Sequence, residues 1–76
     1  MKVVIAGAGE VGTHLAKMLS KENHDIILID EDAEKLERIA NQVDLMTVHG
    51  AANSITDLKE AGVSKADLFI AVTLLS

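Results

Sequence analysis

Cysteine, proline, tryptophan and tyrosine are absent from this 76-residue chain, and Phe69 is its only aromatic residue. Without cysteine there is no disulfide framework and no thiolate metal site, which suits a reducing compartment. Long apolar runs are missing too. The longest, Leu68–Val72, falls far short of the ~20 residues of a membrane span, so no direct membrane insertion is expected. Val3–Ala6 is likewise too short for the apolar region of a signal peptide, and Gly7 interrupts it. Positive charge is scarce: seven Lys and Arg stand against twelve Asp and Glu, for a net charge of −5. The seven are scattered, whereas a nucleic-acid partner requires a clustered basic surface. The chain length allows one domain at most, with little stability to spare at this size.

Four short apolar runs are present: Val3–Ala6, Ile26–Ile29, Leu45–Val48 and Leu68–Val72. Each is continuous rather than alternating, the pattern of a parallel strand covered on both faces by helices. Helical spacing fills the intervals. Val11, Leu15, Met18 and Leu19 share one face, then Leu36, Ile39, Ala40 and Val43, then Ile55, Leu58 and Ala61 with Gly62 as a stop. Asp32 is placed to cap the second helix, and Ser54-Ile55-Thr56-Asp57 resembles a capping box for the third. The runs share no side-chain motif, so their spacing is not a repeat. The prediction is an α/β fold, a Rossmann-like doubly wound parallel sheet of order 3-2-1-4, with its switch point between the first and fourth strands. Such a fold normally continues to further strands, so residues 1–76 read as the first part of one domain, truncated after the fourth strand.

Gly7-Ala8-Gly9-Glu10-Val11-Gly12 is a G-x-G-x-x-G between an apolar strand and a helical pattern. Gly7 permits the tight turn, Gly9 allows a pyrophosphate to approach the backbone, and Gly12 lets the helix pack closely. The unsatisfied N–H groups at the start of that helix suit an anion, so Glu10 and Val11 contribute through their amides. The motif alone is a weak signal. Its context strengthens it, because Asp30 ends the second strand eighteen residues after Gly12, where about 20 are expected, and would accept both ribose hydroxyls. Asp30, Glu31 and Asp32 together would repel a 2′-phosphate, so NAD is expected over NADP. Gly50 and Ala51 follow the third strand and leave room for a flat ring, and Thr73 ends the fourth strand on the expected ligand side.

No catalytic constellation is apparent. His14, His24 and His49 are the only neutral-pH bases, and each reads best as a surface or packing residue. They form no metal-ligand spacing. Glu34, Lys35, Glu37 and Arg38 read as a solvated helix face, with Glu34 and Arg38 at i,i+4 spacing.

Three further strings join the glycine motif: Ile29-Asp30-Glu31-Asp32, Gly50, and Glu60-Ala61-Gly62-Val63 leading through Ala66-Asp67-Leu68-Phe69-Ile70-Ala71-Val72-Thr73. With them the chain resembles the N-terminal part of TrkA-type regulatory subunits of bacterial potassium uptake, the RCK or KTN domain family. The resemblance implies a cytoplasmic, non-enzymatic module, peripheral at the inner face of the plasma membrane. It would assemble as a homo-oligomer, dimer or tetramer, and gate a membrane potassium transporter subunit. Members bind NAD(H), and some bind ATP or ADP in the same cleft. Carried over by position, Gly7, Gly9, Glu10, Val11 and Gly12 would hold phosphates, Asp30 the ribose, and Thr73 the far side of the cofactor. Glu31, Gly50 and Ala51 complete the candidate set. The alternative is the NAD-binding half of a small dehydrogenase whose catalytic residues lie beyond Ser76.

Overall fold

Unbroken apolar runs with β-branched residues favour strands, and the four predicted runs each supply one. The computed structural model describes residues 1–50, 55–60 and 62–72. Its elements are β1 (Lys2–Ala6), α1 (Glu10–Lys21), β2 (Asp25–Asp30), α2 (Ala33–Ala40), β3 (Met46–His49), α3 (Ile55–Glu60), a 3-10 turn (Val63–Lys65) and β4 (Leu68–Ala71). All pairings are parallel and the order is β3-β2-β1-β4, the Rossmann-like arrangement expected of the sequence. Val3, Val4, Ile5 and Ala6 face Ile26, Ile27, Leu28 and Ile29 in register.

Alternate residues of β1 and β2 enter two cores. Val3, Ile5, Ile26 and Leu28 pack with Ala16 of α1 and with Leu36 and Ile39 of α2 on one face. Val4, Ala6, Ile27 and Ile29 form the core of the other. Each fully buried Val, Ile or Leu contributes about 1.5–3 kcal/mol, so these two strands are the main source of stability.

Three expectations are corrected. Burial on both faces holds for β1 and β2 only. Met46 of β3 is 65% exposed, and Leu68 and Phe69 of β4 are 42% and 39% exposed. Among the described residues β3 and β4 each pair with one neighbour, so their side chains meet less of the molecule. In α1 the buried residues are Gly12 and Ala16, while Val11 and Met18 are exposed. The small residues let the helix approach the sheet, which turns the Val11–Met18 flank outward. In α2, Leu36 and Ile39 are buried but Ala40 is exposed.

Local signals otherwise match. Asp32 caps α2, its Oδ1 accepting from the amides of Glu34 at 3.0 Å and Lys35 at 3.4 Å. Gly62 follows α3 in the left-handed region, φ +82°, which glycine tolerates without strain. Ser54 of the expected capping box lies outside the described residues. Asp67 fixes the start of β4: its Oδ2 accepts from the Lys2 amide at 2.8 Å, and its own amide donates to the Lys2 carbonyl at 2.8 Å. Among the described residues, no helix is long and apolar enough to cross a membrane.

Candidate functional site: the glycine loop and the end of β2

The chain leaves β1 at Ala6 and enters α1 at Glu10, so three residues make the turn. Gly7 makes it possible. Its φ is +116°, and a Cβ there would run into the Val72 carbonyl at the end of β4. The Gly7 amide donates to the Ile29 carbonyl at 2.8 Å, and the Val72 amide to the Ala6 carbonyl at 2.8 Å. The turn is thus held between β2 and β4. Gly12 lets the helix pack closely at the loop as well as at the sheet. A Cβ there would collide with the Gly7 carbonyl, whereas the nearest sheet atom, Ile5 Cγ2, is 3.8 Å away. Its smallness lets α1 close onto the loop itself.

Gly9 is the N-cap of α1 in an extended conformation and offers no side chain to the helix. The first intrahelical bond runs from the Thr13 amide to the Gly9 carbonyl at 2.9 Å. The amides of Glu10, Val11 and Gly12 therefore precede the helical ladder with no side-chain cap, at the positive end of a twelve-residue helix. The contrast with α2 is informative, since Asp32 satisfies that helix from within the chain. Glu10 and Val11 are exposed, Val11 at 55%, so their contribution here is backbone.

Asp30 reaches this loop. Its Oδ2 accepts from the Ala8 amide at 2.7 Å and its Oδ1 from the Asp32 amide at 2.7 Å. A carboxylate has about four acceptor positions, so two bonds leave capacity on both oxygens. This clamp was not foreseen from the sequence, which pointed only to a ligand for Asp30. The signal was the register: Ala6 pairs with Ile29, so the residues following each strand are neighbours.

Glu31 presents an exposed side chain, and its carbonyl is 2.8 Å from His49 Nε2. A carbonyl only accepts, so Nε2 carries the proton in this contact. His49 thereby ties the end of β3 to the turn after β2, a structural role matching the surface reading. Gly50 donates its amide to the Asp30 carbonyl at 3.0 Å, and a Cβ on it would stand 2.7 Å from Asp57 Cγ. Gly7, Gly9, Gly12, Asp30 and Gly50 thus converge at the C-terminal ends of β1 and β2. Ala51 and Thr73 lie outside the described residues.

Crevices at these strand ends are where doubly wound sheets place ligands. The TrkA-N domain model matches residues 3–74. The chain belongs to the TrkA-N domain family. It is 48% identical over 73 residues to a Trk system potassium uptake protein TrkA homolog of Archaeoglobus fulgidus, covering 96% of this chain and 16% of that protein. It is 44% identical over 73 residues to the Trk system potassium uptake protein TrkA of Halomonas elongata, with the same coverage. A TrkA homolog of Methanothermobacter thermautotrophicus is 38% identical over 73 residues, or 34% of its length. The TrkA-N chain described here therefore spans a minor part of these curated relatives.

Among the described residues of the TrkA-N domain, no group of three or more His, Asp or Glu could hold a metal ion. His24 sits at the opposite end of the sheet, its Nε2 3.8 Å from Glu22 Oε2.

Proposed function

We propose that this chain is the nucleotide-sensing part of a regulatory subunit of a potassium uptake transporter, with NAD(H) held at the glycine loop. The observation that carries the reading is the uncapped start of α1 beside the Asp30 carboxylate, which accepts from the Ala8 amide of the same loop. An anion is attracted to the first, and a vicinal diol donates to the second. Gly7, Gly9, Glu10, Val11 and Gly12 would hold the pyrophosphate, Asp30 the adenosine ribose, and Gly50 and Ala51 would leave space for the base. Glu31 borders the ribose, and Thr73 would approach the far end of the cofactor. ATP or ADP would use the same adenosine and phosphate positions.

Regulation rather than catalysis is favoured because the named relatives are potassium uptake proteins. Ligand binding would favour one arrangement of an assembled cytoplasmic homo-oligomer at the inner face of the membrane and so bias the transporter subunit.

The test is calorimetric titration of NADH, NADPH, ATP and ADP into the 76-residue chain, beside Asp30→Ala. NADH binding above NADPH, weakened in the variant, supports the site. Binding of every nucleotide with equal affinity in the variant overturns it. For the regulatory half, a longer protein carrying this domain should change potassium flux when nucleotide is added; unchanged flux overturns that half alone.

A further inference from the structure

A groove of about 510 Å³ runs between α1 and α2 and opens beside Gly9 and Glu10. Its α1 wall carries Glu10, Thr13 and Lys17, and the facing wall Lys35 and Arg38 of α2 with Gln42 of the turn that follows. Glu10, Thr13 and Lys17 follow i, i+3, i+7 spacing along α1, and Lys35 and Arg38 stand at i, i+3 on α2, so each helix presents one stripe. The two stripes face one another over the buried Ile39.

The charge in this groove runs against the rest of the chain. Three of the seven Lys and Arg residues line it, with Glu10 as the one carboxylate, in a protein of net charge −5. The i,i+4 pairing expected of Glu34 and Arg38 does not form. Glu34 and Arg38 do not come within 4.0 Å, and neither Lys17 nor Lys35 is within that distance of a carboxylate among the described residues. Lys17, Lys35 and Arg38 therefore project toward one concavity without carboxylate partners. Three cations against one carboxylate give the groove a net positive charge, so the arrangement favours a ligand that brings negative charge with it.

We infer that this groove is a second anion site, for a small molecule bearing phosphate. A guanidinium fork matches phosphate oxygens bidentately, and two ammonium groups add charge without fixing direction. The volume is that of a small-molecule site. Concavity and the acidic surroundings disfavour an anionic membrane, which would meet the −5 chain over a broad surface. The groove adjoins the glycine loop at Ala8, Gly9 and Glu10, but its cations come from the helix flanks whereas the loop amides reach an anion from the helix end, and it does not depend on the NAD(H) reading.

The experiment is an amide and side-chain NMR titration of the 76-residue chain with sodium pyrophosphate, against sodium chloride at matched ionic strength. Saturable shifts are expected at Thr13, Lys17, Lys35, Arg38 and Gln42. The double variant Lys35→Gln/Arg38→Gln should weaken that response at least tenfold while changing NADH affinity less than twofold. Both substitutions are at exposed positions and keep helix-forming residues, and the amide spectrum itself reports whether the fold persists. Shifts confined to residues 9–12 overturn the proposal, as does an equal response to chloride. Binding to phosphatidylglycerol vesicles that is lost in the double variant, with no saturable pyrophosphate response, would also overturn it in favour of a membrane contact.

Discussion

The Asp30 carboxylate and the Ala8 amide meet at 2.7 Å, joining the end of β2 to the turn after β1. The second oxygen holds the Asp32 amide at 2.7 Å and so fixes the approach to α2. The residue read as the ribose acceptor is thus also a clamp on the loop that would hold the phosphates. Position and chemistry are coupled through one side chain.

That coupling separates two substitutions of Asp30. Asp30→Ala removes both clamping bonds and both of the proposed ribose acceptors. Hydrogen bonds to a charged acceptor are worth about 1.5–3 kcal/mol each. NADH affinity is expected to fall tenfold or more, with a stability loss of about 3 kcal/mol in urea denaturation, the lower end of that range for two bonds. Asp30→Asn keeps one acceptor oxygen and adds two donors, so it can satisfy the Ala8 or the Asp32 amide but not both. It should lie between wild type and alanine in stability. It should also narrow the preference for NADH over NADPH, because it removes a negative charge from the 2′ side. Equal NADPH rejection in both proteins would show that Asp30 does not set that preference.

The order of the elements could be read from the chain because each level of the sequence pointed the same way. Unbroken apolar runs marked the strands, Asp32 marked the start of α2, and Gly62 the end of α3. What could not be read was which residues face which. The first-helix spacing admitted Val11 and Met18 to the buried face, but the close approach made by Gly12 and Ala16 turned them outward. Helical periodicity gives a stripe, and the size of the side chains then decides where it centres. The same holds at the site. The motif identified Gly7 and Gly12, yet the atoms they avoid, the carbonyls of Val72 and Gly7, come from the β1–β4 pairing and the closing of the loop. The facing stripes of α1 and α2 depend on helix docking, which the charge pattern of either helix alone did not reveal.

Gly12→Ala makes that distinction measurable. On an unconstrained helix, alanine in place of glycine would favour folding by about 1 kcal/mol. Here the added methyl would overlap the Gly7 carbonyl, a backbone atom held by the turn. Steric overlap against backbone outweighs the propensity gain, so thermal unfolding by circular dichroism should show a lower Tm. Gly7→Ala adds a left-handed conformation, costing about 1–3 kcal/mol, to its own overlap with the Val72 carbonyl. It should be the more damaging of the two. A Tm at or above wild type for Gly12→Ala would contradict the close packing of α1 on the loop.

Truncation within the two central strands tests where the stability resides. Ile5 and Leu28 pair in register and are both fully buried in the α1–α2 core. Ile5→Ala or Leu28→Ala should each cost about 2–5 kcal/mol. That is a large share of the stability available to a chain this short. Met46→Ala on β3, where the side chain is 65% exposed, should change the urea midpoint little. Comparable losses at Met46 and Leu28 would mean that β3 is buried to the same extent as β2.

Asp32 offers the sharpest contrast with Asp30, because the two acids stand two residues apart and have separate duties. Asp32 Oδ1 accepts from the amides of Glu34 and Lys35, which makes it the N-cap of α2. Asp32→Ala should therefore cost about 1 kcal/mol, the usual loss for a cap. In a domain of this size that corresponds to a Tm lower by roughly 4–8 °C. The backbone amide of residue 32 remains, so its bond to Asp30 Oδ1 survives the substitution. NADH affinity measured well below the lowered Tm should then match wild type within about twofold. Asp32→Ser, which restores a capping oxygen without the charge, should recover most of the lost stability. If Asp32→Ala instead lowered affinity as far as Asp30→Ala, the ribose contact would belong to the pair of acids, and the division of cap from binding residue would fail.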